Sequence, residues 1–292
     1  MFVENTREKT RNYLQTKGRN LDLLRFNYLL GDETGKRVLA ELEKYQNSDG
    51  GFGRGLDPEM VYALSNPRST AVAFRIMEEI KVDTNAMAFK AFNYYRNSYD
   101  DNYKGWRPLP EEEMQHENST WLDGSMAISW AVPTVEILGG FYKYKVNFEK
   151  LEELTKLAVD YLLKAEHLSS KELLAYLYFY ENVPPLVQEQ LREELRRKAL
   201  QNISLEVEDW EEFGDLPVIF APSKNAFLYR DLAGHVEASL SYLLETMNDE
   251  GVWLPSWLWG DPSDEVWQRA ETAHAGDLTV RYSALLLEFA FM

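Results

Sequence analysis

Apolar residues recur three and four positions apart along most of this chain, the spacing that lays them on one face of a helix. Thr6 can cap a first helix through about Lys17, with Gly18 as its stop. Leu21, Leu24 and Tyr28 place the next apolar face, ending near Gly31. Asp32 or Thr34 begins a third helix, on which Leu39, Leu42, Tyr45 and Gln46 share a side. Pro58 and Pro67 make 54–68 a loop. Ser69 or Thr70 then caps a helix buried through Ala73, Ile76, Met77 and Ile80. Further helices are predicted over 83–97, 124–138, 148–166, 170–180 and 186–201, in a run ending at Met247, and over 276–291. Between them, 99–123 and the acidic stretch 202–225 read as irregular. Apolar–polar alternation is short wherever it occurs, as at Ile203 to Val207. The expectation is an all-α protein of about ten to twelve helices.

Three turns punctuate this pattern alike. Asn47-Ser48-Asp49-Gly50-Gly51 closes a helix and leads into Phe52. Adjacent glycines suit that place because they adopt the left-handed conformation at no steric cost. Gly105-Trp106 follows its helix in the same way, and Gly251-Val252-Trp253 makes a third case. Leu243-x3-Met247 before the last turn repeats Leu42-x3-Gln46 before the first. Tandem helix pairs with glycine–aromatic turns read as a repeated unit that buries its apolar face against its neighbours.

The spacing Leu-x3-Gln, four residues, then Gly-Phe resembles the QW repeat of the terpenoid cyclase and protein prenyltransferase superfamily. The resemblance implies an α/α toroid (an α/α barrel) of tandem helical hairpins, a single domain over 1–292, with the loops 47–68, 99–123, 202–225 and 248–275 at one rim. It also implies an apolar, isoprenoid-like ligand in a central cavity. The chemistry of the superfamily is not carried over. No Asp-x-Asp-Asp tetrapeptide is present, Asp100-Asp101-Asn102 being the nearest, and no cysteine is available for a prenyltransferase zinc site. No cofactor and no metal are expected.

Composition narrows the classes further. The 292 residues carry 31 Lys plus Arg against 48 Asp plus Glu, a formal charge of −17. Such a surface repels phosphate backbones and anionic headgroups, so nucleic acid is not an expected partner. The absence of cysteine excludes disulfides and thiolate nucleophiles and fits a reducing compartment. The N-terminal residues are charged, and the longest apolar stretch, 284–292, is interrupted by Glu288 and too short to span a bilayer. A cytoplasmic protein without a membrane span is the expectation.

Candidate chemistry lies in the loops. Asp57 and Glu59 stand near a helix mouth beside Arg54, itself a candidate ligand contact, and paired carboxylates can act as general acid and base in glycoside hydrolysis. Their other use is to bond backbone amides or pair with Arg54 and Arg68. His116 and His274 lie in predicted rim loops and can carry protons. Trp253, Trp257, Trp259 and Trp267 fall within fifteen residues. With Trp106, Trp121 and Trp210 they offer rings for stacking on sugars or lining an apolar cavity, or for filling a core.

Three functions compete on these residues, and they differ on whether the protein is an enzyme. An isoprenoid-like ligand predicts a closed cavity lined by Phe, Tyr and Trp. A carbohydrate-active α/α-barrel hydrolase, taking an oligosaccharide, predicts an open polar cleft. A non-catalytic docking member of the fold predicts an exposed aromatic patch without perturbed carboxylates.

Overall fold

A computed structural model of the chain describes residues 2–60, 62–82, 85–108, 129–213, 215–256 and 265–291. Among these the protein is all-α. Thirteen helices are present: α1 Phe2–Thr16, α2 Asn20–Leu29, α3 Gly35–Leu42, α4 Pro67–Glu79, α5 Ala86–Asn97, α6 Ala131–Lys143, α7 Leu151–Lys164, α8 Ser170–Asn182, α9 Pro185–Asn202, α10 Val207–Phe213, α11 Pro217–Phe220, α12 Tyr229–Thr246 and α13 Glu265–Glu288. A 3-10 turn over Glu43–Tyr45 follows α3. No described helix is long and apolar enough to cross a membrane.

Most helices fall where the apolar spacing puts them, and the departures have local causes. The fourth helix begins at Pro67 rather than Ser69, because proline suits the first helical position and the Asn66 side chain accepts from Ser69 N at 2.8 Å. Two short helices, α10 and α11, occupy the stretch expected to be irregular; seven and four residues are too few to show a period. The last helix starts eleven residues earlier than expected, at Glu265 instead of Gly276. Gly276 is not a boundary but a close approach, since a Cβ there would lie 2.5 Å from the Asp22 carboxylate. The sixth helix likewise runs on past Leu138 through Gly139 and Gly140 to Lys143.

The described chain divides into two compact units, one of Met1–Lys44 with Ser204–Met292 and one of Tyr45–Ile203. In the first, α2 packs on α1, α3 and α13, and α12 packs on α11 and α13. At the α2–α13 contact Arg25 donates to Asp277 at 2.7 Å and to Asp22 at 3.1 Å, and Arg19 holds Asp22 at 2.7 Å. Burial would raise the Asp277 carboxyl, but Arg25, Arg281 and Arg19 outweigh it and hold it well below the carboxylate range.

In the second unit α6 packs on α4, α7 and α8, while α9 covers α7 and α8. Its core is aromatic. Trp106 lies 5.8 Å from Phe141 and 6.1 Å from Tyr95, and Phe141 stacks on Phe148 at 5.1 Å.

Candidate functional site: a charged loop and an aromatic groove

The three glycine–aromatic turns are built alike down to single hydrogen bonds. Gly50, Lys104 and Gly251 all have positive φ (+93°, +53° and +76°), each two residues before its aromatic. Asn47 N donates to Gly51 O at 2.9 Å, Asp100 N to Gly105 O at 3.0 Å and Asn248 N to Val252 O at 3.1 Å. The backbone N–H of each aromatic then donates to a threonine hydroxyl on a later helix. Phe52 reaches Thr70 at 3.0 Å, Trp106 reaches Thr134 at 3.1 Å, and Trp253 reaches Thr279 at 3.3 Å. The Trp106 indole donates to Tyr95 O at 2.7 Å and that of Trp253 to Leu243 O at 2.9 Å, each tying the ring to the preceding helix. Gln46 serves its own turn, donating to Gly50 O at 2.9 Å and to Met87 O at 3.0 Å.

These bonds place several expected site residues in the core. Trp106, Trp253 and Trp210 are buried, the last donating to Ser204 O at 3.1 Å. Each presents its ring to protein. Arg54 has φ +56° and donates through Nε to Asn47 Oδ1 at 2.9 Å, so it braces the first turn. His274 is buried on α13, in a helix rather than a loop. His116, Trp121, Trp257 and Trp259 lie outside the described residues. Among the described residues no group of three or more His, Asp or Glu side chains is placed to hold a metal ion.

Asp57 and Glu59 do stand together, and a cation lies between them. Arg68 Nη2 contacts the Glu59 carboxylate and lies 3.2 Å from Asp57 Oδ2. Lys171, at the start of α8, adds a second cation to Glu59 at 2.7 Å. Asp57 also accepts from Glu59 N at 3.0 Å. Burial would raise the Glu59 carboxyl, yet the charges and hydrogen bonds of Arg68 and Lys171 hold it far below its ordinary value. A carboxylate held so low is a poor proton donor and a poor base near neutral pH. The pair fixes the 57–59 segment to α4 and α8.

Further along α4 and α6, Arg75 and Glu136 bond at 2.5 Å over a narrow cleft. Phe74, Phe92, Tyr95 and Tyr178 line it, and it has about 20 Å³ of room for solvent, roughly one water.

The roomier site was not anticipated from the sequence. A surface groove of about 370 Å³ is lined by Tyr103, Trp130 and Tyr161, with Asn102, Asp160 and Lys164 among its polar groups. The Trp130 and Tyr161 rings lie 5.6 Å apart with 33° between their planes. Trp130 Nε1 donates to Lys104 O at 2.9 Å, which fixes the indole by its edge. The Arg107 guanidinium sits 4.8 Å from the centre of the Tyr103 ring and bonds Asp100 at 2.8 Å. Tyr161 Oη donates to Glu172 Oε1 at 2.7 Å. One sequence signal for this groove exists in hindsight: Trp130 directly precedes Ala131-Val132-Pro133, where the backbone of Val132 is non-helical, so the ring stands at a helix start.

Comparison with known proteins returns no match: no family model, no curated protein sequence and no solved structure.

Proposed function

We propose that this protein binds a polyhydroxylated ligand, a carbohydrate in class, in the groove of Tyr103, Trp130 and Tyr161. The observation that carries the reading is the Trp130–Tyr161 ring pair. Its indole N–H is committed to Lys104 O, which leaves the ring faces as the means of contact. A pyranose has a face of C–H groups that packs on such rings, while its equatorial hydroxyls reach Asn102 and the exposed Asp160–Lys164 ion pair at 3.6 Å. The volume is that of a small-ligand site. The reading is of binding rather than hydrolysis, since Arg68 and Lys171 engage Glu59, and Arg68 also engages Asp57.

A second reading rests on the repeated turns. Three glycine–aromatic turns bonded to threonines in the same way support kinship with the terpenoid cyclase and prenyltransferase superfamily, and with it an α/α toroid and an isoprenoid-like ligand. The roughly 20 Å³ cleft between α4 and α6 has no room for an isoprenyl chain, and this reading ranks second because it rests on the turns alone.

Thermal unfolding against two panels separates the readings: farnesol and farnesyl diphosphate, and the pentasaccharides of cellulose, starch, xylan and chitin. A ligand at a hundred times its dissociation constant adds about 2.7 kcal/mol, a rise in Tm of a few degrees. The proposal expects a shift with at least one pentasaccharide that falls to about half in Trp130→Ala. A shift with prenyl compounds alone would establish the second reading instead.

A further inference from the structure

We infer that Glu172 is the positioning residue of the aromatic groove, the single buried carboxylate that sets the geometry of all three rings. The inference rests on the binding role proposed above and names the residue on which that role depends.

Glu172 is 7% exposed and accepts four hydrogen bonds, divided between its two oxygens. Oε2 takes Ser169 N at 2.7 Å and Ser169 Oγ at 2.9 Å, which completes a capping box at the start of α8. Oε1 points the other way. It takes Tyr161 Oη at 2.7 Å and Ser129 Oγ at 2.5 Å. Capping α8 needs only the first oxygen, so the bonds to Oε1 have another consequence.

Those bonds lead to each ring in turn. Tyr161 is held directly. Ser129 immediately precedes Trp130, and its Oγ also accepts from Ala131 N at 3.0 Å, so both backbone neighbours of the tryptophan are anchored. The Tyr103 hydroxyl reaches Ser129 O at 3.4 Å, a longer contact to the same anchor. One carboxylate on α8 thus ties a ring on α7, a ring at the start of α6 and a ring in the turn after α5. Burial would raise Glu172, but the hydroxyl and amide donors from Ser129, Ser169 and Tyr161 outweigh it and hold it low, so it is an acceptor at neutral pH. A stacking platform discriminates by ring angle and spacing, and a preorganised one binds without the cost of ordering its side chains.

The capping role and the positioning role are separable by substitution. Ser169→Ala removes the cap hydroxyl and leaves Oε1 intact. Glu172→Gln keeps an amide oxygen for Tyr161 and Ser129 but places an NH2 where the Ser169 N–H must be accepted. Glu172→Ala removes both sides. In protein labelled with ¹⁵N at tryptophan, the Trp130 indole signal is assigned by its absence in Trp130→Phe. The inference expects Glu172→Ala to move that signal and accelerate its hydrogen exchange at least tenfold, with Ser169→Ala and Glu172→Gln close to wild type. It also expects pentasaccharide affinity to fall about tenfold in Glu172→Ala and to recover in Glu172→Gln. A Trp130 signal in Glu172→Ala that matches Ser169→Ala would overturn the inference and reduce Glu172 to a cap. If wild type binds no pentasaccharide, the sugar reading fails, and the indole signals still decide whether Glu172 sets the groove.

Discussion

Two polar regions of the 45–203 unit look alike as lists of residues and differ in what their groups have left to give. Around Arg68, every strong group faces another: the guanidinium bridges Asp57 and Glu59, and Lys171 closes on Glu59 from α8. In the groove, the hydrogen-bonding edges of Trp130 and Tyr161 are committed to Lys104 O and Glu172, the two rings lie 5.6 Å apart, and Tyr161 also stacks on Tyr176 at 6.5 Å, so the proposed reading leaves the ligand chiefly to the Trp130 face. Charge draws the eye in a sequence, but internal pairing consumes it. An aromatic ring can be fixed by its polar edge and still offer its face. The first region is a fastening, and the second is, on the proposed reading, a contact surface.

The largest expected effect comes from breaking the fastening. Arg68→Ala leaves two carboxylates without their shared cation, and removing one partner of a buried ion pair costs about 3–5 kcal/mol. Urea unfolding should show that loss. A stable Arg68→Ala variant with new hydrolytic activity would instead mean that Asp57 and Glu59 are poised for chemistry.

Acid should loosen the Arg68 region and, in the other unit, the α2–α13 contact. The ordinary value is 4.5 for Glu59 and 3.8 for Asp277, and the folded protein lowers both. A carboxylate lowered by folding adds stability that is complete above its unfolded value and disappears as pH falls toward the folded one. Unfolding free energy should therefore be level from about pH 7 to 5 and fall steeply below about pH 4.5. Arg68→Ala should flatten the Glu59 share of that fall, and an unchanged slope would contradict the pairing.

The threonine bonds come next. Thr70→Val, Thr134→Val and Thr279→Val each keep the shape and strand one buried backbone N–H, at about 1–3 kcal/mol apiece. Similar losses at all three would confirm that the turns are one repeated device, and a silent site would remove that turn from the set. Smallest is Trp130→Ala in the groove, where aromatic contacts of about 0.5–1.5 kcal/mol imply up to roughly a tenfold loss of sugar affinity.

Much of the scaffold was legible in the sequence because its causes are local. Helical spacing, Gly50 and Gly251 at left-handed positions, and the aromatic that follows each turn all sit within a few residues of one another. The pairing of Arg68 with Asp57 and Glu59 was also within reach, at nine to eleven positions. What was not legible is set by distance along the chain. Lys171 meets Glu59 from 112 positions away, and the threonines of the turns follow their aromatics by 18 to 28 positions. Gly276 read as a helix boundary because its partner, Asp22, lies on another helix. The groove escaped notice for the same reason, since Tyr103, Trp130 and Tyr161 belong to three separate segments with no common motif. Trp106 and Trp253 drew attention as possible platforms because composition cannot separate a buried indole from an exposed one.

The most direct test of the account watches the tryptophan indole signals while a pentasaccharide is added to ¹⁵N-tryptophan protein. The account predicts that the Trp130 signal moves in proportion to occupancy, while the buried Trp106, Trp210 and Trp253 stay where they are. Saturable binding with Trp130 unmoved would place the ligand elsewhere and contradict it.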